Sequence, residues 1–446
     1  MRKGDDGSQR QHGLFTVIPG FKQSAVIFRA RAYFKLITFA VLFVLTLIPP
    51  AFGQEERKSI EELLVEKGVL SPEEAAAIQG RKFSKWVDRM TFSGDFRLRQ
   101  ESFMKDPDKD RSRQRFRLRF GPEIKVGDFL VGIRIASGTG EQVSTNQSFD
   151  SLFAQKGLWI DRAYLQWKGL DGLILTGGKM PNPFFLNYSS DIVWDDDVNP
   201  EGVAQNFKMK LSDSFVLFAN AGQFVLDEDS SDNNDQWLFG EQVGMQVGLG
   251  KAAQFTLAGA FYNFKNATRG NFGQVAVQEG NTRVTLCPAA PAAPTPGCVA
   301  SSANTTNMLV NNYRVLDITA EIAMKIAGFP VAIQGDYVKN LADTSTDKDT
   351  AYQAGVKLGK ASDPGSWELA YYYKYVETDA TVADLSDSDF GDGGTNRKGH
   401  IAWVGYNVTK ALQFKTKYFI TQVEDETLSS KVDDIKRLQV DLAMKF

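Results

Sequence analysis

The sequence is poor in the residues that build metal and nucleophile sites, with two cysteines and two histidines among 446 residues. His12 lies in an N-terminal segment that reads as a leader, so His400, in "RKGHIAW" with no nucleophile pattern around it, stands alone in the remainder. That scarcity excludes a His/Cys metal cluster, and a Ser-His-Asp arrangement would have to rest on His400 alone. No CxxC occurs, and no glycine-rich phosphate loop follows a strand to open a helix. The chain is read as a non-enzyme with no cofactor and no resident metal. Linkers are missing too: no Pro/Gly/Ser stretch separates regions of different composition, despite a length that would normally suggest several domains.

Long hydrophobic runs are also absent, apart from "LITFAVLFVLTLI", Leu36 to Ile48. It is shorter than the roughly 20 residues of a comfortable spanning helix. Arg29, Arg31 and Lys35 precede it, and Ala51 and Gly53 follow as small residues suited to a signal peptidase. Residues 1–53 are therefore expected to be a secretory signal cleaved before Gln54, an uncleaved anchor being the alternative. The long stretch ahead of the apolar run is consistent with a later translation start. Removing the segment takes away seven basic and two acidic residues, so the net charge moves from -3 to -8. An acidic exported protein is a poor partner for nucleic acid, and that class is set aside. Cys287 and Cys298 bracket "PAAPAAPTPG", and in an oxidising compartment they are expected to form a disulfide that stiffens a loop.

Residues 54–89 differ from the rest of the chain. "SIEELLVEKGVLSPEEAAAIQ" holds two helix starts, Ser59 with Glu62 and Ser71-Pro72 with Glu74, and Gly68 where the first helix would stop. From Met90 to Phe446 the pattern is strands. Sixteen are expected, joined alternately by tight turns ("GLD" at 169–171, "AG" at 327–328) and by longer polar connections such as "DEDSSDNND" at 227–235. A soluble sandwich has no reason to sort turns from loops by parity, whereas an up-and-down barrel crossing a membrane does. Side-chain alternation agrees. In "RQRFRLRF", Arg113, Arg115, Arg117 and Arg119 share one face, and Phe116, Leu118 and Phe120 share the other. On the last strand Leu438, Val440, Leu442, Met444 and Phe446 oppose Arg437, Gln439, Asp441 and Lys445. The expected fold is all-β, a transmembrane antiparallel up-and-down β-barrel of about sixteen strands, preceded by a short periplasmic helical segment. The apolar faces meet lipid and the arginines meet a polar lumen.

In the terminal Phe446, the segment "GGKMPNPFFLNYSSDIVWDDDVNPEGVAQNF" (177–207), the helical pair and the strand count, the chain resembles the bacterial outer-membrane porins, in particular the putative porin family. The resemblance implies a Gram-negative outer-membrane channel for small hydrophilic solutes and ions, with membrane lipids and lipopolysaccharide around it. It further implies a homotrimer, and a Phe446 read by the barrel-assembly machinery. It places the 181–201 segment inside the lumen, so that Asp191, Asp195, Asp196 and Asp197 narrow it. Arg97, Arg99, Arg115, Arg117, Arg119 and Arg134 would line the pore opposite, and such opposed walls set up a transverse field. Two other readings stay open. The acids are those of an outward, solvated loop, or the arginines merely pair with neighbours such as Glu101 or Glu123. "DLSDSDFGDGG" (384–394) resembles a calcium loop but lacks EF-hand spacing, and is expected to be a solvated surface loop bridged to lipopolysaccharide phosphates. The chain is too short for a plugged 22-stranded transporter. A structural or adhesive barrel with a closed lumen is the alternative, and small inward residues such as Ala258, Ala260 and Ala370 favour an open one.

Overall fold

A computed structural model describes residues 64–69, 71–72, 89–228, 230, 234–268, 280–284, 308–428 and 434–446. The expected leader and the Cys287–Cys298 pair lie outside the described residues. Within the N-terminal unit, the described residues 64–69 contain a helical turn that Gly68 closes at φ 69°, donating its N–H to Val65 O at 3.0 Å.

The second unit is one sheet, whose strands are β1 (Met90–Asp106), β2 (Arg111–Val126), β3 (Phe129–Ser137), β4 (Gln147–Ser148), β5 (Leu158–Leu170), β6 (Leu173–Lys179), β7 (Glu201–Ser212), β8 (Phe215–Asp227), β9 (Gln236–Leu249), β10 (Ala253–Lys265), β11 (Tyr313–Ile326), β12 (Phe329–Asn340), β13 (Thr350–Gly359), β14 (Trp367–Val376), β15 (Arg397–Asn407), β16 (Leu412–Val423) and β17 (Asp434–Lys445). Apart from the two-residue β4, each pairs antiparallel with its neighbours, and β1 pairs with β17, closing a barrel of sixteen strands. Closure removes every sheet edge, the condition for a sheet to live in lipid.

The expected strands lie close to the observed ones, because the solvents on the two faces differ all along each strand. Phe96, Leu98, Val131, Ile133 and Leu165 are exposed on the outer face. Phe116 stacks there between Phe96, at 6.4 Å, and Phe149, at 5.9 Å. At the tight-turn end, Ala327 and Gly328 both take positive φ (51° and 83°), as a two-residue type I′ hairpin requires. The sequence pattern does not predict the extra strand β4. β3 stops at Ser137, so the upper part of β2 lacks that neighbour, and Gln147 and Ser148 of the next loop pair with Phe116 and Arg115 instead.

At the long-loop end, loops fold inward and pack against the walls. One buried cluster joins Phe184, Trp194 and Val198 of the 180–200 loop to Ala260, Tyr262 and Val338 on the walls. A second packs Phe390 of the 377–396 loop with Ala370, Tyr372, Ile401, Trp403 and Phe419. This corrects the reading of the small inward residues. Ala258, Ala260 and Ala370 are buried, the last two in these clusters, where their size leaves room for infolded loops rather than for water.

Candidate functional site

The inner wall near β1 and β2 is an ion-pair lattice. Asp95 accepts from Arg117 Nη2 at 2.8 Å and from Arg119 Nε at 2.9 Å. Arg99 holds both oxygens of Asp441, at 2.7 and 2.8 Å, and donates to Asp389 at 3.1 Å. Arg97 donates to Asn146 Oδ1 at 2.6 Å and stands 3.7 Å from Asp441. Arg115 is 3.8 Å from Glu101, and Arg134 pairs with Asp161. Every arginine of the expected stripe thus has a carboxylate within 4.0 Å, several of them on neighbouring strands, while Glu123 accepts from Tyr164 rather than from an arginine.

The 180–200 loop spans the interior. Its Asn187 donates to Ala320 O on β11 at 3.1 Å, and its Asp197 accepts from Arg119 on β2 at 3.1 Å. These strands lie eight apart in a ring of sixteen, on opposite walls. The loop is shaped locally by a capping box at the turn Tyr188–Ile192, where Asn187 accepts from Ser189 N and Ser190 Oγ accepts from Asn187 N. Its four acids have different surroundings. Asp197 meets Arg117 and Arg119, Asp195 is buried, Asp191 is 2.7 Å from Lys374, and Asp196 is exposed.

The 377–396 loop is the largest departure from expectation. It is not a solvated surface loop: Asp384, Asp387 and Phe390 are buried. Lys374 on β14, itself 1% exposed, bridges Asp387 and Asp191 at 2.7 Å each. Asp389 accepts from Arg437 Nη2 at 2.6 Å and from Arg99. Backbone bonds then tie the two loops together, from Asp195 N to Leu385 O (2.8 Å) and from Asp387 N to Asp191 O (2.9 Å), and Ser388 N donates to Asp195 Oδ2 (2.8 Å). The 138–157 loop joins through Ser388 Oγ to Val143 O and Thr145 N to Asp197 Oδ2. Three loops thus make one latched plug. Burial pushes the Asp191 carboxyl up to about 7, with Asp387 adding to it and Lys374 opposing. Burial, reinforced by Asp197 and Asp387, also drives Asp195 well up. Burial acts in the same sense on Asp389, but Arg437 and Arg99 outweigh it and hold that carboxyl well below the usual range.

Sequence reasoning missed Lys374, Arg437, Asp387 and Asp389 as plug residues. The available signal was a count of charges. Inward cations on β14 and β17, such as Lys374 and Arg437, require acids, and "DLSDSDFGDGG" carries them.

A family model described as "Putative porin" matches residues 103–446. Among solved structures, the chain is similar to Pseudomonas putida OprB at high pH, with 11% identity, 81% of this chain and 95% of that one covered, and a TM-score of 0.52. Salmonella typhi OmpF in complex with daunomycin is similar at 11% identity, covering 80% and 97%, with a TM-score of 0.48. No curated protein matches in sequence.

Proposed function

Because the chain belongs to the putative porin family and folds as a porin-like outer-membrane barrel, we propose that it is a channel for passive diffusion of small hydrophilic solutes and ions. The observation that carries this reading is the charged inner wall of a closed sixteen-strand ring, with Arg97, Arg117, Lys415 and Lys417 only half-buried on it. Arg97, Arg117 and Lys415 have carboxylates at 3.7, 2.8 and 3.4 Å, but Lys417 has none within 4.0 Å among the described residues, and a cation without an ion pair is costly to hold on an inner wall unless water reaches it. Arg97, Arg99, Arg115, Arg117, Arg119 and Arg134 are proposed to line the path, with the 180–200 loop as its constriction and Asp196 as the acid that passing ions meet. The arginine–carboxylate pairs damp the transverse field, so neutralising one stripe residue moves selectivity less than isolated charges would suggest.

The test is single-channel recording in a planar bilayer under a salt gradient. Stable steps with a defined reversal potential are expected. The three-loop plug favours a second reading, a closed structural or adhesive barrel, and a silent membrane with correctly folded protein would establish that one instead.

Cleavage of residues 1–53, the Cys287–Cys298 disulfide, contact with lipopolysaccharide and assembly as a homotrimer are proposed with it; mass spectrometry of the mature chain and light scattering of the purified barrel test the first two and the last. Phe446, whose backbone pairs with Gly94 and whose ring lies over it, is proposed as the signal for the assembly machinery. Deleting it is expected to lower the amount of folded barrel in outer-membrane fractions while unassembled chain accumulates; normal assembly would remove the proposal.

A further inference from the structure

The cations of the stripe are neutralised by neighbours, so the binding chemistry of the lumen rests on cations that are not. One is Arg162 on β5. Its Nε donates to Asn199 Oδ1 at 2.7 Å, and no carboxylate oxygen among the described residues comes within 4.0 Å of its guanidinium. Asn199 is itself fixed, donating to Asp161 Oδ1 and to Asp197 O at 2.9 Å each, so the Nε end of Arg162 is held by the 180–200 loop. The two terminal nitrogens are left for the cavity beside them.

That cavity measures about 390 Å³ and lies among β1, β2, β3, β5 and the end of β17, lined by Asp95, Arg119, Glu123, Arg134, Arg162, Tyr164 and Lys445. Its volume is within the roughly 300–1,000 Å³ of small-ligand sites. Two glycines on adjacent strands help make the hollow. A Cβ on Gly132 would meet the Tyr164 ring at 2.3 Å, and one on Gly121 would meet Ile133 O at 2.0 Å, so no larger residue fits either position as packed. The other arginines of the lining are ion-paired, while Glu123 and Lys445 have no ion-pair partner within 4.0 Å among the described residues. Arg119 has Asp95 and Asp197, Arg134 has Asp161, and Glu123 accepts from Tyr164 OH at 3.1 Å. Arg162 is the guanidinium left without an anion.

We infer that this cavity is a subsite for a small carboxylate, held by the terminal N–H groups of Arg162 as solute passes the 180–200 loop. The planar fork of Arg162 matches one carboxylate, which takes two parallel N–H···O bonds, and the unpaired Lys445 and Glu123 offset each other in the charge of the lining. Lys445 at the exposed end of β17 also lines the cavity, with no carboxylate within 4.0 Å among the described residues; it adds positive charge at the rim but offers no planar fork. The inference rests on reading the barrel as a diffusion channel.

The test is conductance in planar bilayers as potassium acetate is raised, with potassium chloride as the reference salt. In the unmodified protein, acetate current saturates. In Arg162→Gln the half-saturating acetate concentration is expected to rise about tenfold or more, the scale of one charge-assisted hydrogen-bonding pair. Arg162→Lys keeps the charge but loses the fork, so it should retain the reversal potential of the unmodified channel while losing most of the saturation. This second variant also serves if the glutamine variant fails to insert. Unchanged acetate saturation in either variant, with normal chloride steps, would overturn the subsite and leave the channel reading intact. Absence of steps in the unmodified protein would overturn the channel reading itself, and the subsite with it.

Discussion

Lys374→Met is expected to open the plug and raise single-channel conductance while the barrel stays folded. The side chain is the one cation within 4.0 Å of either Asp191 or Asp387 among the described residues, and it belongs to neither loop. Removing one partner of a buried ionic cluster typically costs about 3–5 kcal/mol, because the charges left behind have no compensation. That cost falls on the latched arrangement and spares the inter-strand ladder, so the population shifts toward loops that have parted. The pH dependence has a definite sign. The Asp191 carboxyl is raised to about 7 in the folded protein against 3.8 as its ordinary value. Its contribution to the latch is therefore fully present below about 4 and is lost as pH rises toward 7. Asp195, also raised, acts in the same direction. Asp387 and Asp389 are lowered, so their contribution is lost only below the usual carboxylate range and does not disturb the window above it. Conductance of the unmodified protein should thus rise between pH 5 and pH 8, and the methionine variant should fall back toward it at pH 5, where protonation relieves the repulsion. Equal conductance of the two proteins at pH 8 would mean that the Lys374 cluster does not restrain the plug.

The strands were legible because lipid on one side and polar lumen on the other impose a two-residue period over lengths of seven to seventeen residues. "RQRFRLRF" is such a case. Its arginines face inward and its apolar residues outward, as the alternation alone requires. What alternation does not carry is partnership. Asp95 lies directly across from Arg119 in the β1–β2 register, and nothing in either strand read separately says that the carboxylate holds Arg117 as well. β4 was illegible because a two-residue pairing has no period. The 377–396 loop was illegible for a different reason. An acidic, glycine-bearing loop has the same composition whether water or buried cations satisfy it, and here the cations come from β14, from β17 and, across the barrel seam, from Arg99 on β1. The 180–200 loop was placed inside the lumen only through a family resemblance, although its run of apolar residues among the aspartates (Ile192, Val193, Trp194, Val198) is what the buried cluster uses.

Glu101→Gln is expected to destabilise the barrel itself. The residue is fully buried on β1, at the seam where β1 meets β17. It accepts from Arg437 Nε and from Gln439 Nε2 at 2.9 Å each, and pairs with Arg113 on β2. Arg115 and Arg99 lie 3.8 and 4.0 Å away. One carboxylate therefore offsets guanidiniums from both strands that flank β1. Arg99 and Arg437 keep Asp389 after the substitution, but Arg113 and Arg115 have no other carboxylate within 4.0 Å among the described residues. Glutamine preserves the volume, yet it turns one acceptor oxygen into a donor that must face guanidinium nitrogens. Loss of the carboxylate from such a buried cluster should cost about 3–5 kcal/mol, felt where the barrel closes. Urea unfolding in detergent micelles, followed by tryptophan fluorescence, should give a clearly lower midpoint than for the unmodified protein. Asp213→Asn supplies the contrast, since its pair with Lys210 is exposed and such pairs contribute little. If the two substitutions shift the midpoint equally, the Glu101 cluster does not hold the seam, and the inter-strand hydrogen bonds close the barrel without it.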